Sequence, residues 1–374
     1  MSNAEGAPSR SRRKSPASRM QILLYEYASG GGLAGEPVPP SLGREGSAMR
    51  DALAADLARG NHRVLLPVDS RFPSRSRAGI ETVEVEGPDP AGARLDRWIA
   101  SSNAVWLIAP ETGRCLERLA ARVEAHGVAL AGSGARAIAR AADKGALASR
   151  FVRRGIPMPE TRLVRRTTPS ASLRSAALAV GYPVIVKPRY GAGSQGVVRV
   201  SNPAMLEAAV EAAGAINARA TVILQQYIRG TAASVSVLAN GSEACVLAVN
   251  GQAVSRARGF AYQGGVTPLE HSQVERATAM ALAALQVLPG LRGYIGVDMV
   301  LSREGPVVIE VNPRLTTSYL GIRRSIRENV AQLGLAAALD GDLPPAVRQQ
   351  RRVRFDAVGR ILETTPLDPG RIAG

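Results

Sequence analysis

The sequence predicts an α/β protein: an open, parallel α/β domain, then sheets that turn mixed or antiparallel toward the C-terminus. Three observations carry this. Short apolar strands alternate with amphipathic helices through residues 20–140, the signature of strand–helix–strand units. Over residues 221–256 strands follow one another with only turns between them, and a further hairpin follows at 294–311, the signature of antiparallel pairing. The chain has 374 residues and 45% hydrophobic content, enough for two or three domains with a substantial core.

In order, residues 1–19 are Ser, Arg, Pro and Gly with no apolar segment. They lack the apolar core of a secretory signal and the amphipathic helix of a transit peptide, so a disordered basic leader is expected, with Met20 a candidate start. Gln21 to Tyr27 read as the first strand, and Gly30, Gly32 and Gly35 after it match the spacing G-x-G-x-x-G. A dinucleotide site would put the last glycine inside a helix, but Pro37, Pro39 and Pro40 delay any helix to about Ser41. A glycine loop lining a cleft at the strand's carboxyl end fits better. Ser41–Arg59 is periodic as a helix closed by Gly60; strands recur at Arg63–Leu66, Thr82–Val85, Ala104–Ile108 and Val128–Leu130, with helices at Glu111–Ala125 and Ser133–Ala142.

Asp143 is placed to cap a helix that begins at Lys144 and runs to about Arg154. After a helix at Ser170–Val180, Val184–Val186 form a short buried strand that delivers Lys187 beside a loop holding Gly191, Gly193, Ser194 and Gly196. Glycines let backbone N–H groups close around an anion, so this is a candidate phosphate grip, without the residue order of a Walker A loop. Lysine occurs only at Lys14, Lys144 and Lys187 among 47 basic residues, so the folded part keeps two lysines where arginine is the default. That suggests sites that need a compact point charge on a flexible stem.

Val197–Val200 returns across the Lys187 strand, a helix fills Pro203–Ile216, and Thr221–Tyr227 is a strand. Ser234–Leu238, Glu243–Val249 and Ala253–Arg256 read as an antiparallel meander, followed by a helix over Ser272–Leu288. Tyr294–Leu301 and Pro306–Val311 form a hairpin that brings Asp298 opposite Glu310 and Asn312. Acids in apolar strands are costly unless paired or metal-bound, and three hard oxygen donors suit Mg²⁺; the alternative is an ion pair of Asp298 or Glu310 with Arg314.

Composition bounds the function classes. No apolar run reaches the ~18 residues of a membrane-spanning helix. Cys115 and Cys245 are too few for a disulfide framework, which points to a reducing cytoplasm, and the three histidines are too scattered for a zinc site. The formal charge of +16 invites nucleic acid, but only 4% of residues are aromatic and no nucleic-acid-binding signature is present, so no specific nucleic-acid partner is expected.

Taken together, Asp143-Lys144, Val184-Ile-Val-Lys-Pro188 before its Gly/Ser loop, Leu224-Gln-Gln-Tyr-Ile-Arg-Gly230, Gly296-Val-Asp-Met-Val300 and Ile309-Glu-Val-Asn-Pro-Arg314 resemble the ATP-grasp superfamily in content and order. The resemblance implies a two-lobed grasp fold that uses ATP and Mg²⁺ (or Mn²⁺). It implies that Lys144 and Lys187 hold the α- and β-phosphates, and that Gly191, Gly193, Ser194 and Gly196 close over the β/γ-phosphates. The Gln225–Ile228 hinge would read adenine through the Gln226 carbonyl and the Ile228 N–H, with Tyr227 between them. Asp298, Glu310 and Asn312 would hold the metal, and Arg314 with Lys187 would act on the reacting groups. Two departures stand out: Gln225-Gln226 where a glutamate is common, and Ala232 where many members place a ribose-binding acid.

Finer features look like the tyramine–glutamate ligase group of methanofuran-type cofactor synthesis. They include Glu26-Tyr-Ala-Ser-Gly-Gly-Gly32, Arg44-Glu45-Gly46, Asn250-Gly-Gln252 and Asn312-Pro-Arg-Leu-Thr-Thr-Ser-Tyr319. The implied function is an ATP-dependent carboxylate–amine ligase acting through an acyl phosphate, on small-molecule carboxylate and amine partners, with a homodimer as the candidate assembly. The alternatives are an ATP-grasp ligase for another amino acid or peptide, or an inactive nucleotide-binding regulator. The expected domains are a leader (1–19), an N-terminal α/β domain (20–140), a small grasp lobe (141–230), a large lobe with the metal site (231–343) and a basic extension (344–374).

Overall fold

A parallel sheet covered on both faces needs strands that are apolar on both sides, and the first strands of this chain are of that kind. In the computed structural model, which describes residues 19–193, 195–216, 221–255 and 260–367, strand β1 (Gln21–Glu26) is buried from its second residue onward. It lies between β2 (Arg63–Asp69) and β4 (Ala104–Ile108), with β3 (Ile80–Val85) and the short β5 (Ala129–Leu130) at the edges, all parallel in the order β3-β2-β1-β4-β5. Helix α1 (Pro40–Arg59) covers one face through Met49, Leu53 and Leu57; α2 (Ala93–Ala100) and α3 (Cys115–Ala125) cover the other.

α4 (Ala135–Ala142) leads to α5 (Lys144–Arg153), whose first turn is capped as the sequence suggests: Asp143 Oδ1 accepts from the Ala146 N–H at 3.1 Å. A second sheet, β6-β9-β7-β8, combines β6 (Thr161–Arg165), β7 (Val184–Pro188), β8 (Val198–Val200) and β9 (Thr221–Gln226) in antiparallel order under α6 (Ser170–Val180) and α7 (Leu206–Ala215).

The third sheet has seven antiparallel strands in the order β14-β13-β10-β11-β12-β15-β16. They are β10 (Thr231–Asn240), β11 (Ala244–Ser255), β12 (Ala261–Thr267), β13 (Arg292–Leu301), β14 (Pro306–Asn312), β15 (Arg351–Asp356) and β16 (Ile361–Pro366). α8 (Val274–Gln286) packs on one face; α9 (Tyr319–Ser325) and α10 (Val330–Leu335) tie the other to the parallel sheet, so Trp106 and Leu24 share a core with Tyr294 and Phe355. Asp56 of α1 fastens that junction by accepting from the Tyr319 hydroxyl and the Arg323 guanidinium.

Several expectations change. Glu243–Val249 and Ala253–Arg256 belong to one long strand, β11, as far as Ser255; residue 256 is outside the described residues. β6, α2 and β12 were not expected. β12 was masked by Gly264-Gly265, which depress strand propensity but let β15 pass so close that a Cβ on Gly264 would lie 2.1 Å from the Phe355 carbonyl. The stretch expected as a basic extension instead supplies β15 and β16: Val353 and Phe355 point inward while arginines alternate outward, a period of two hidden by charge. Of the expected leader only Arg19 is among the described residues, and Ser194 is not.

Candidate functional site

The buried side of β7 ends in Lys187, only 4% exposed, and the first turn of α5 brings up Lys144, 7% exposed. Lys144 Nζ donates to the Gly191 carbonyl at 2.8 Å and lies 3.1 Å from Glu310 Oε2. Burial pushes Lys187 down to about 8, opposed by Glu310 and reinforced by Lys144. Two ammonium groups held together out of water are costly unless an anion accompanies them; here Glu310 does so.

Glu310 faces Asp298 directly across β14 and β13. A bulge in β14 leaves Ile309 unpaired there, so that Ile309 and Glu310, which a regular strand would turn to opposite faces, both line one cleft. Burial raises Asp298's proton affinity and the Glu310 charge adds to it, while Asn312 Nδ2 and Gln252 Nε2, each at 3.0 Å, donate to its two oxygens and oppose the rise. Burial alone would raise Glu310 as well, but Lys144 and Lys187 hold its carboxyl low. Among the described residues no group of three His, Cys, Asp or Glu side chains is arranged to hold a metal. The donor set is two facing carboxylates and an amide, which fits Mg²⁺, a cation that takes one or two protein carboxylates and fills its shell with water and phosphate oxygens.

Arg314 does not pair with Asp298 or Glu310. Its Nε and Nη2 donate to the two oxygens of Glu111, at 2.9 and 3.1 Å, across 203 residues of sequence. The ion-pair alternative for the two acids is thereby corrected: Glu310's partner is Lys144, and Asp298 is held by amides.

Two clefts meet at these acids. The first spans about 1060 Å³, open solvent at its mouth included, between the four- and seven-stranded sheets; Lys144, Lys187, Gly191, Gly193 and residues Gln225 to Ile228 line it, over an apolar bed that includes Ile185 and Met299. Gln226 is exposed at the end of β9, whereas Gln225 is buried, its Nε2 donating to Thr161 Oγ1 at 3.0 Å. Gly196 does not line the cleft: its φ is +67° and a Cβ there would meet Ile216, so it serves the turn. The second cleft, about 970 Å³, opens toward the parallel sheet and holds Arg314 and Asn312. Gly193, Gln252, Asp298 and Glu310 line both.

The glycine loop is latched at its start. Arg189 Nε and Nη2 donate to Asp143 at 2.7 and 2.6 Å, and the Tyr190 hydroxyl donates to the same carboxylate at 2.9 Å. Asp143 thus caps the helix of Lys144 and anchors the loop beside Lys187. The N-terminal glycine loop is different, because several of its amides are turned inward: Ala28 and Ser29 N–H donate to the Glu26 carboxylate, Gly30 N–H to the Glu26 carbonyl, and Gly32 N–H to the Tyr27 carbonyl.

Residues 141–318 match the ATP-grasp domain family, and residues 62–138 the pre-ATP-grasp 3 domain. A protein assigned to the ATP-grasp superfamily from Archaeoglobus fulgidus has a similar structure over 93% of this chain and 100% of its own, with a TM-score of 0.67 and 26% identity. The chain belongs to the ATP-grasp superfamily. A tyramine–L-glutamate ligase of Methanocaldococcus jannaschii is 30% identical over 129 residues, which cover 34% of this ATP-grasp chain and 40% of that ligase's length. An L-amino acid ligase from Bacillus licheniformis shares the fold at 17% identity, with a TM-score of 0.67 over 90% of this chain and 79% of its own.

Within this ATP-grasp protein, Glu111, the contact of Gln252 with Asp298 and the Asp143 latch escaped the sequence reading. Glu111 had one signal, its place just past the carboxyl end of β4, where open parallel sheets gather ligand-facing residues.

Proposed function

We propose that this protein is an ATP-dependent carboxylate–amine ligase that forms an amide through an acyl phosphate. The observation that carries the proposal is the junction of the two clefts at Asp298, Glu310 and Gln252, beside Lys144 and Lys187. A nucleotide in the first cleft would present its terminal phosphate to a carboxylate in the second.

In this reading Lys144 and Lys187 hold phosphate oxygens, displacing Lys144 from Glu310, and Gly191 and Gly193 let the loop backbone approach them. The Gln226 carbonyl and Ile228 N–H face adenine, with Gln225 holding the strand end through Thr161. Ala232, in the first cleft, leaves the ribose without an acidic partner. Asp298, Glu310 and Asn312 would hold Mg²⁺, which would supply positive charge to offset that of the phosphates. Arg314, kept charged and rigid by Glu111, orients the attacking carboxylate, and an amine then displaces phosphate. Most of the rate gain comes from positioning and charge stabilisation.

The resemblance to tyramine–glutamate ligases favours glutamate as the carboxylate and tyramine or a similar amine as the nucleophile, in a cytoplasmic cofactor-forming route. The test is incubation with ATP, Mg²⁺, glutamate and tyramine, with assay of ADP, phosphate and amide by mass spectrometry. Equimolar ADP and amide is the expected result; no ADP with any carboxylate–amine pair refutes the ligase reading.

A further inference from the structure

The wall of the second cleft opposite the acids is one stripe of helix α1: Leu42, Glu45, Gly46 and Met49, at positions i, i+3, i+4 and i+7. Gly46 lets the helix lie against Glu26, whose carboxyl carbon would be 2.6 Å from a Cβ there. Glu26 is spent on the loop amides and the Ser29 hydroxyl. Glu45 has no hydrogen-bond or ion-pair partner among the described residues. Arg314, the cation lining this cleft, is already engaged by Glu111. Two more polar atoms in residues lining the cleft are shielded from solvent: the Tyr262 hydroxyl, which Thr317 flanks, and Thr316 Oγ1, which the Tyr294 hydroxyl flanks, each without hydrogen-bond geometry.

A half-buried carboxylate without a partner, in a protein of charge +16, is a site that lacks its cation. Leu42 and Met49, one turn to either side of Glu45, make the surroundings apolar, which suits an organic ammonium better than a hydrated metal ion. We infer that Glu45 is the specificity-determining acceptor for a substrate's ammonium group in the second cleft. This rests on the ligase reading for the identity of the substrates, since both the amino acid that supplies the carboxylate and the incoming amine can carry that ammonium.

The test uses the full chain with a non-hydrolysable ATP analogue and Mg²⁺, and measures binding by calorimetry for two matched pairs. Glutamate is compared with glutarate, which lacks the amine, and tyramine with 4-ethylphenol, which also lacks it. In the wild type the ammonium member of one pair binds tighter by on the order of tenfold, as one hydrogen bond to a charged group allows. That preference disappears in Glu45→Gln and is partly restored in Glu45→Asp; the pair that shows it tells whether the ammonium belongs to the acyl donor or to the nucleophile. Equal binding of both pairs by the wild type, no binding of either ammonium ligand, or a preference that survives Glu45→Gln overturns the inference. The wild-type comparison stands even where a variant fails to fold. Turnover separates the two proposals: an ammonium preference without ADP formation removes the ligase and keeps the site, and amide formation that ignores Glu45 does the reverse.

Discussion

Glu111 and Arg314 form a two-pronged ion pair, at 2.9 and 3.1 Å, between the end of the parallel sheet and the end of the β13–β14 hairpin. Glu111 is 2% exposed and the Arg314 side chain 13%, so the pair holds a desolvated guanidinium at the edge of the second cleft. Glu111→Gln leaves that charge half satisfied. The expected outcome is a loss of roughly 3 kcal/mol in urea unfolding and a higher KM for the carboxylate with that for ATP unchanged. Unaltered stability together with an unaltered carboxylate KM would remove Arg314 from its role.

The two facing acids should respond with opposite signs when stability is measured without metal. Asp298→Asn removes a like charge beside Glu310, so the melting temperature holds or rises. Glu310→Gln strands Lys144, whose ammonium lies 3.1 Å from it, and the melting temperature falls by the equivalent of roughly 3 kcal/mol. Both variants lose turnover by orders of magnitude at saturating Mg²⁺. Matching stability changes of one sign would show that the two carboxylates are not a repelling pair biased by the lysines.

Lys187→Arg tests whether a compact charge is needed at the end of β7. The planar guanidinium requires more room than a position 4% exposed provides and cannot place its charge at the same point. Turnover should fall at least about a hundredfold, or ~2.7 kcal/mol in barrier, with circular dichroism unchanged. Activity like the wild type's would sink the phosphate assignment.

Burial pushes Glu45 up to about 7, against the pull of Arg314 and Arg44. A carboxyl with a higher pKa folded than unfolded contributes its full stability below about 4.3, the unfolded value, and loses it as pH rises through 7. The unfolding free energy of the ligand-free protein should therefore carry a component that declines between pH 5 and 7, its size reduced by the solvent that reaches the side chain. Urea denaturation at pH 5, 6 and 7 should show that decline flattened in Glu45→Gln; parallel curves for the two proteins would contradict it.

What the sequence determined by itself was local or periodic. The apolar run of β1, the Asp143 cap, Lys187 before its glycines and the pairing of Asp298 with Glu310 each depend on near neighbours or on one hairpin, so spacing alone places them. The scarcity of lysine singled out Lys144 and Lys187, but not that both would converge on Glu310. Strand β15 was illegible because its inward period is two residues among arginines, and β12 because its glycines answer to a strand some ninety residues away.

Only the tertiary structure decided which charge answers which. Arg314 lies just beyond Glu310 in sequence yet takes Glu111; Asp298 takes Gln252 from β11; Glu45 has no hydrogen bond or ion pair among the described residues. The physical reason is that a buried charge is satisfied by whatever partner the packing of sheets brings within about 3 Å, and that distance is set by strand order and helix placement rather than by separation along the chain.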